Sequence, residues 1–157
     1  GLARFNPPAA DAGPGGQVIA NCGVATATLT TAIAGLTAST NTPLAETYYE
    51  VTRYFRGLTS QWNAGVTYTS PIQYRCQKNF VVVITDGFPT WDSVFPNTDP
   101  ADLADTGRSL PNWDGLAPPQ TAADFPDFDQ YSDGTLTGSA GVEGFSLYLD
   151  DLAKFGY

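Results

Sequence analysis

The pattern of hydrophobic and polar positions contains one unbroken apolar run, Phe-Val-Val-Val-Ile at residues 80–84. A continuous run of mainly β-branched residues predicts a strand buried on both faces, as in parallel sheets covered by helices. Thr85-Asp86-Gly87 follows at once, which predicts a carboxylate at the carboxyl end of the strand, where open α/β sheets hold their ligands. The alternative is that Asp86-Gly87 forms only a turn, because both residue types are common in turns.

Residues 42–56 show the spacing of an amphipathic helix. Pro43 suits a first helical turn, and Gly57 stands where a helix end is expected. Glu46 and Glu50 lie toward the positive end of the helix dipole. The buried stripe is predicted to consist of Leu44, Tyr48, Val51 and Phe55.

A hydroxyl before this helix and a carboxylate after the next strand predict a shared divalent cation. Thr42 precedes the helix and Asp86 follows the strand, so both lie at the same edge of the predicted sheet. Hydroxyl and carboxylate oxygens suit Mg²⁺, which keeps several waters and needs few protein ligands. The alternative role for Thr42 is a plain helix N-cap.

The rest of the chain is divided by Pro, Gly and Asp. Residues 7–21 read as a polar Pro/Gly-rich insertion, and residues 28–39 as a short helix. Residues 88–140 form a long Pro/Asp-rich loop insertion with little periodicity. Residues 143–155 return to helix, with an apolar face made of Phe145, Leu149, Leu152 and Phe155.

Composition narrows the function classes. The 157 residues suit one domain, and seven basic against sixteen acidic residues give a net charge of −9. This charge argues against nucleic acid or an anionic membrane as a partner, and no apolar stretch approaches the roughly 20 residues of a membrane-spanning helix. The absence of histidine excludes Ser-His-Asp and Cys-His catalysis within this chain, so we expect no enzyme.

The long loop contains a second candidate metal site. Asp124, Asp127, Asp129 and Asp133 alternate with aromatic residues, and carboxylate oxygens are the usual ligands of Ca²⁺. The spacing does not fit an EF-hand, since Tyr131 occupies a ligand position. The alternative is a solvated loop that its aromatic rings hold against the domain.

Several motifs resemble a known family. Thr42-Pro43-Leu44-Ala45-Glu46 before a Tyr-rich helix resembles the second metal motif of a von Willebrand factor A-type domain. The segments at 70–80, 85–90, 109–115 and 148–155 resemble the domain of this type in PilY-like proteins, the large tip adhesins and assembly factors of type IV pili. The resemblance implies a mostly parallel, Rossmann-type sheet with flanking helices, in which residues 1–6 are the end of the second strand.

The chain also departs from the family pattern. Such domains carry an Asp-x-Ser-x-Ser motif after the first strand, and residues 1–157 do not contain it in the expected place. We therefore expect a partial domain, incomplete at both ends, with the first strand and the remaining metal ligands upstream of Gly1. Thr42 and Asp86 then form an incomplete site, which binds Mg²⁺ or another divalent cation only in the parent protein.

The resemblance also implies a location and partners. We expect a bacterial extracellular protein at the cell surface or pilus tip, associated with the outer membrane, that contacts minor pilins or other subunits and a host or abiotic surface. Two functions stay open. One is metal-dependent adhesion or pilus assembly, and the other is a purely structural part of the filament tip with no working metal site.

The two cysteines, Cys22 and Cys76, indicate whether the chain is located in an oxidising or a reducing compartment. Two cysteines in a secreted chain favour a disulfide, whereas two thiols are ordinary in a cytosolic protein. A bridge between them closes a loop of about 55 residues and contributes roughly 4 kcal/mol in the chain-entropy model. We expect the purified protein to gain mass on alkylation only after reduction. Two thiols that alkylate in the unreduced, denatured protein contradict the bridge.

Overall fold

The computed structural model describes residues 1–7, 15–85, 89, 92, 96, 98, 99, 109, 110, 113 and 149–156. Two strands come first, β1 (Leu2–Phe5) and β2 (Gly16–Ala20). Three helices follow, α1 (Thr26–Ala34), α2 (Leu44–Arg56) and α3 (Leu149–Gly156). The described part of the chain is therefore mixed α/β.

β1 and β2 form a two-stranded antiparallel sheet, in which Ala3 is opposite Val18 and Phe5 is opposite Gly16. A strand within residues 1–6 is confirmed as Leu2–Phe5, and its place as the second strand of a larger sheet stays a prediction. The expectation of an insertion over residues 7–21 is wrong for residues 16–20, because these pair with β1. Val18 and Ile19 are the only β-branched residues of this short strand, and the neighbouring Gly and Pro residues conceal its pattern.

The sheet lies against α2, and Gly16 permits the close approach. A Cβ atom at Gly16 would lie 2.5 Å from the Thr47 Cγ2 atom and 2.6 Å from the Arg4 carbonyl oxygen. Both distances are shorter than van der Waals contact, so a larger residue would separate β2 from either the helix or β1.

α1 is an exposed helix that contacts β2. The helix expected over residues 28–39 is confirmed in position but occupies Thr26–Ala34, and Gly35 follows its last turn. None of its residues is buried, because Ala and Thr predominate and no apolar stripe forms.

α2 is the central helix of the described chain, and it contacts both strands and α3. Its predicted extent is confirmed, and Gly57 ends it in the left-handed conformation with φ of 69°. The predicted buried stripe is only partly correct. Tyr48, Val51 and Phe55 are half-buried, whereas a neighbouring set of side chains is buried, namely Ala45, Glu46, Tyr49, Glu50, Thr52 and Tyr54 together with the predicted Leu44.

The apolar core lies between α2 and α3. Ala45, Tyr49, Leu110 and Leu152 are fully buried there, and the half-buried side chains of Trp62, Trp113 and Phe155 surround them. The helix expected over residues 143–155 is confirmed for Leu149–Gly156. Residues 143–148 lie outside the described residues. Leu110 shows that the sequence segment predicted as a long loop contributes to the core.

Residues 80–84 differ from their prediction. They lie in no strand, and all five side chains are exposed to solvent. A strand buried on both faces needs neighbouring strands and covering helices, but β1 and β2 pair only with each other in the described part of the chain. The described elements therefore contain no parallel sheet, although the mixed α/β class is confirmed.

Candidate functional site

The amino-terminal end of α2 is held by a carboxylate from a distant part of the sequence. Pro43 occupies the N-cap position, and the helix has no side-chain cap of its own. Asp92 supplies the missing acceptor, since its two oxygens accept hydrogen bonds of 2.8 Å from the N–H groups of Ala45 and Glu46. The first N–H groups of a helix lack partners within it and carry partial positive charge, so a buried carboxylate stabilises them.

Thr42 lies at this same end, half-buried, two residues before α2 begins. Its carbonyl oxygen accepts a hydrogen bond of 2.9 Å from the Leu44 N–H group. The interpretation of Thr42 as a plain N-cap is wrong, because Pro43 occupies that position and Asp92 accepts from the helix. The placement of Thr42 at the mouth of the helix agrees with its predicted position, while its role at a metal stays a prediction.

The other predicted metal ligands lie in parts of the sequence beyond the described residues. Asp86 lies outside the described residues, as do Asp124, Asp127, Asp129 and Asp133. No group of three or more His, Cys, Asp or Glu side chains in the described part of the chain is arranged to hold a metal ion.

Glu50 is fully buried and accepts hydrogen bonds from three donors in the segment after α2. The hydroxyl groups of Ser60 and Tyr68 donate to one oxygen, and the Gln61 N–H group donates to the other over 2.9 Å. Burying a carboxylate without partners is costly, and several donors offset that cost. Glu50 thereby fixes residues 60–68 against the helix.

Glu46 makes the equivalent connection on the side of the sheet. It is fully buried, and its carboxylate accepts a hydrogen bond from the Gly15 N–H group. Gly15 has a positive φ of 75°, and a Cβ atom there would lie 2.4 Å from the Trp62 ring. Glycine is therefore required for the backbone to reach Glu46 beneath Trp62.

Asp99 completes the set of buried acids around α2. Its Oδ2 atom lies 2.6 Å from the Arg56 guanidinium and accepts a hydrogen bond of 2.8 Å from the Tyr49 hydroxyl. Arg53 lies 3.8 Å from the same oxygen and donates to the Tyr49 hydroxyl over 3.1 Å. Two arginines compensate this carboxylate, so its burial beside the core is tolerated.

The roles of Asp92 and Asp99 were not predicted, although the sequence contains indirect signals of both. A helix that starts at Pro43 has no side-chain acceptor at its N-cap, which indicates that an acceptor must come from elsewhere. Arg53 and Arg56 have no acidic residue three or four positions before or after them other than Glu50, which is engaged with other donors. Unmatched arginines on a packed helix indicate a distant acid.

Cys22 and Cys76 are free, exposed thiols in the structure. The Cys22 N–H group donates a hydrogen bond of 2.7 Å to the Tyr54 hydroxyl, which holds this loop against α2. The disulfide between the two cysteines stays a prediction for the mass measurement above.

The four buried acids described above connect other segments of the chain to α2. Backbone N–H groups, hydroxyls or guanidinium groups contact each of these carboxylates. Through these contacts the segments at Gly15, at residues 60–68 and at Asp92 and Asp99 are held on one helix.

Comparison of the chain with family models, curated proteins and solved structures found no match. Within the described residues, no helix has the length and apolar character needed to cross a membrane.

We expect Asp92→Ala to lower the free energy of unfolding by about 2–3 kcal/mol, because two buried N–H groups of α2 lose a charged acceptor. Asp92→Asn is the matched control: it keeps an acceptor oxygen and should cost about half as much. Urea unfolding followed by circular dichroism measures both. An Asp92→Ala variant with wild-type stability contradicts the capping role.

Two buried tyrosines should make the fold sensitive to alkali. Burial, together with the hydrogen bond to Glu50 and its charge, raises the pKa of Tyr68 to about 12. Burial also raises the pKa of Tyr49 to about 12, with contributions from the hydrogen bond to Asp99 and its charge. The unfolded chain therefore loses protons near pH 10 that the folded chain keeps until about pH 12, so the free energy of unfolding falls as the pH rises between these values.

The melting temperature between pH 9 and pH 12 measures this effect. Tyr68→Phe should melt at lower temperature at neutral pH but lose less stability above pH 10. Tyr74→Phe, at an exposed position, is the control and should follow the wild type. Equal alkaline slopes for wild type and Tyr68→Phe would contradict the raised pKa.

Proposed function

We propose that this chain is part of a non-enzymatic adhesion or pilus-assembly module at a bacterial surface, with a metal-dependent binding face at the amino-terminal end of α2. The observation that carries the proposal is the meeting of two sequence segments at that end. Thr42 and Pro43 lead into the helix, and Asp92, six residues after Asp86, binds its first N–H groups. Asp92, which follows Asp86 in the sequence, thus lies at the helix end that Thr42 precedes.

The chemistry of this end supports a cation site shared by Thr42 and Asp86. A Thr hydroxyl and an Asp carboxylate are hard oxygen ligands, and Mg²⁺ accepts a few of them while it keeps its remaining waters. Asp92 already neutralises the positive end of the helix dipole, which otherwise disfavours a cation there. The site needs further ligands from upstream of Gly1, as the family resemblance implies.

The proposal includes the fold of the longer protein. Residues 80–84 have the composition of a central strand, and the resemblance places them in a mostly parallel, von Willebrand A-like sheet. In that sheet Asp86 follows the carboxyl end of the strand. In this proposed fold, the antiparallel pair β1–β2 forms one edge of the larger sheet.

A non-enzymatic role is supported by the residues available for chemistry. The sequence contains no histidine, and the buried carboxylates around α2 accept hydrogen bonds from protein donors. We propose minor pilins or other subunits of a pilus tip, and a host or abiotic surface, as the partners. A net charge of −9 favours a protein partner over a nucleic acid.

A structural role at the filament tip is the second candidate. It is favoured by the use of Asp92 as a helix cap and of Glu46 and Glu50 as buried acceptors, since these side chains hold the fold. The two candidate functions predict different sequences upstream of Gly1. An intact Asp-x-Ser-x-Ser motif there supports metal-dependent adhesion, and its loss supports the structural role.

We expect the present chain to bind Mg²⁺ weakly or not at all, because one hydroxyl and one carboxylate do not offset the cost of dehydrating the ion. A longer chain that includes the upstream motif should bind it more tightly, as measured by calorimetric titration. In that longer chain Asp86→Ala and Thr42→Ala should each weaken binding at least about tenfold, since even outer-shell partners contribute roughly 10- to 100-fold.

Thr28→Ala, on exposed α1, is the matched control for Thr42→Ala and should leave Mg²⁺ affinity unchanged. Equal affinity in the short and long chains, or affinity that Asp86→Ala does not change, contradicts the proposed site.

A further inference from the structure

The loop of residues 70–79 is attached to the carboxyl end of α2. The Ser70 hydroxyl donates a hydrogen bond to the Phe55 carbonyl oxygen in the last turn of the helix. The same hydroxyl accepts a hydrogen bond of 3.1 Å from the Ile72 N–H group. These two contacts fix the direction in which the loop leaves the helix.

The side chain of Gln77 holds the rest of the loop together. Its Oε1 atom accepts a hydrogen bond of 3.1 Å from the Gln73 N–H group, and its Nε2 atom donates to the Pro71 carbonyl oxygen over 3.3 Å and to the Asn79 Oδ1 atom over 2.9 Å. The Gln77 N–H group donates to the Tyr74 carbonyl oxygen over 3.0 Å, which closes a turn. Compact loops of this kind are frequently functional, because a loop that is already ordered loses less conformational entropy on binding.

This ordered loop presents aromatic, aliphatic and cationic side chains to solvent. Tyr74 is 69% exposed and Ile72 is 38% exposed, and Arg75 and Lys78 are exposed in the same loop. Tyr and Arg are enriched at the positions that contribute most to affinity in protein–protein interfaces. The loop therefore has the composition of an interface.

The two cations of the loop have no acidic partner among the described residues. The ion pairs of that part of the chain join two arginines of α2 to Asp99. Residues 51–85 contain four basic residues and no acidic one, although the whole chain has a net charge of −9. Charges beyond the Debye length, about 8 Å at physiological ionic strength, are largely screened, so the local charge of Arg75 and Lys78 determines which groups bind there.

We propose that residues 70–79 form a docking loop for an acidic peptide segment of a partner protein. Arg75 offers a planar fork of N–H donors that matches a carboxylate, and Lys78 is a second cation three residues later. Tyr74 and Ile72 supply apolar area, so a segment with carboxylates on both sides of an apolar side chain complements the loop. Nucleic acid binding depends on several phosphate contacts, which two cations do not provide.

The docking loop is separate from the proposed metal-dependent face. The loop is attached at the carboxyl end of α2, whereas Thr42 and Asp92 lie at its amino-terminal end. The 13 residues of the helix span about 20 Å at about 1.5 Å per residue. In the sheet proposed above, residues 70–79 precede the strand over residues 80–84 and are not part of it. The inference does not depend on the proposed function and needs no metal.

NMR titration of the isotope-labelled chain tests the proposal, with the cysteines reduced as in the structure and EDTA present so that no metal takes part. The probe is a short peptide with Asp and Glu on both sides of a Leu-Leu pair. The amide signals of residues 72–78 should shift with a dissociation constant of about 0.1–1 mM, because the ion pairs are exposed and the interface is small. The same peptide with Asn and Gln in place of its acids should bind at least about fivefold more weakly.

Charge reversal separates the loop from the total charge of the chain. Arg75→Glu and Lys78→Glu should each raise the dissociation constant at least about threefold, because each replaces an attraction with a repulsion. Lys154→Glu makes the same change in net charge at an exposed position on α3 and should leave the dissociation constant unchanged. Gln77→Ala changes no charge but should also weaken binding, because it removes the side chain that orders the loop.

Circular dichroism checks that the variants keep the helices. Shifts that are absent or lie outside residues 72–78, equal effects of Arg75→Glu and Lys154→Glu, or equal affinity for the acidic and uncharged peptides would each overturn the proposal. A single-stranded oligonucleotide that binds more tightly than the acidic peptide would also overturn it. So would signals of the loop that shift on dilution without peptide, since a second copy of the chain would then occupy it.

Discussion

The described structure depends on the two hydrogen bonds that the Asp92 carboxylate accepts from the start of α2. A helix that begins after Pro43 without its own cap leaves its first N–H groups to find partners in the core. Asp92 supplies them, which fixes both the start of the helix and the course of the distant segment. The sheet, α3 and the apolar core are then packed on a helix whose end is defined.

The other buried acids also connect distant segments of the chain to α2. Glu46 holds the backbone beside β2, Glu50 holds the segment of residues 60–68, and Asp99 joins two arginines of the helix. Arginines contact Asp99, whereas hydroxyl and N–H groups donate to Glu46, Glu50 and Asp92. Hydroxyl and N–H donors fix direction more strictly than a point charge does.

The sequence predicted features that depend on neighbours close in the chain. The extent of α2, its end at Gly57 and the placement of Thr42 before it follow from helical spacing and helix-end preferences, and they are confirmed. The buried face of α2 was predicted less well, because the predicted stripe contained only apolar and aromatic side chains and left out Glu46 and Glu50. Their burial depends on donors at Gly15, Ser60, Gln61 and Tyr68, and no local pattern identifies such partners.

The apolar run at 80–84 illustrates the same limit. Its apolar composition predicts that other parts of the protein bury it, but does not identify the segment that does so. Strand pairing is a contact between distant positions or separate chains, which no local pattern specifies. The capping of α2 by Asp92 likewise required knowledge of a contact between positions 46 and 47 residues apart. Local residue patterns thus predicted the helices, whereas the contacts that join distant segments are visible only in the folded structure.

The distance in sequence between α2 and its cap has a consequence for synthesis. The ribosome adds about 5–20 residues per second, so residues 44–56 are made several seconds before Asp92 and Asp99. During this interval the helix has no acceptor for its first N–H groups and no acid beside Arg56. A short isolated helix is marginal in water. The nascent chain therefore acquires its central helix late, when the segment that follows residues 80–84 emerges and closes onto it.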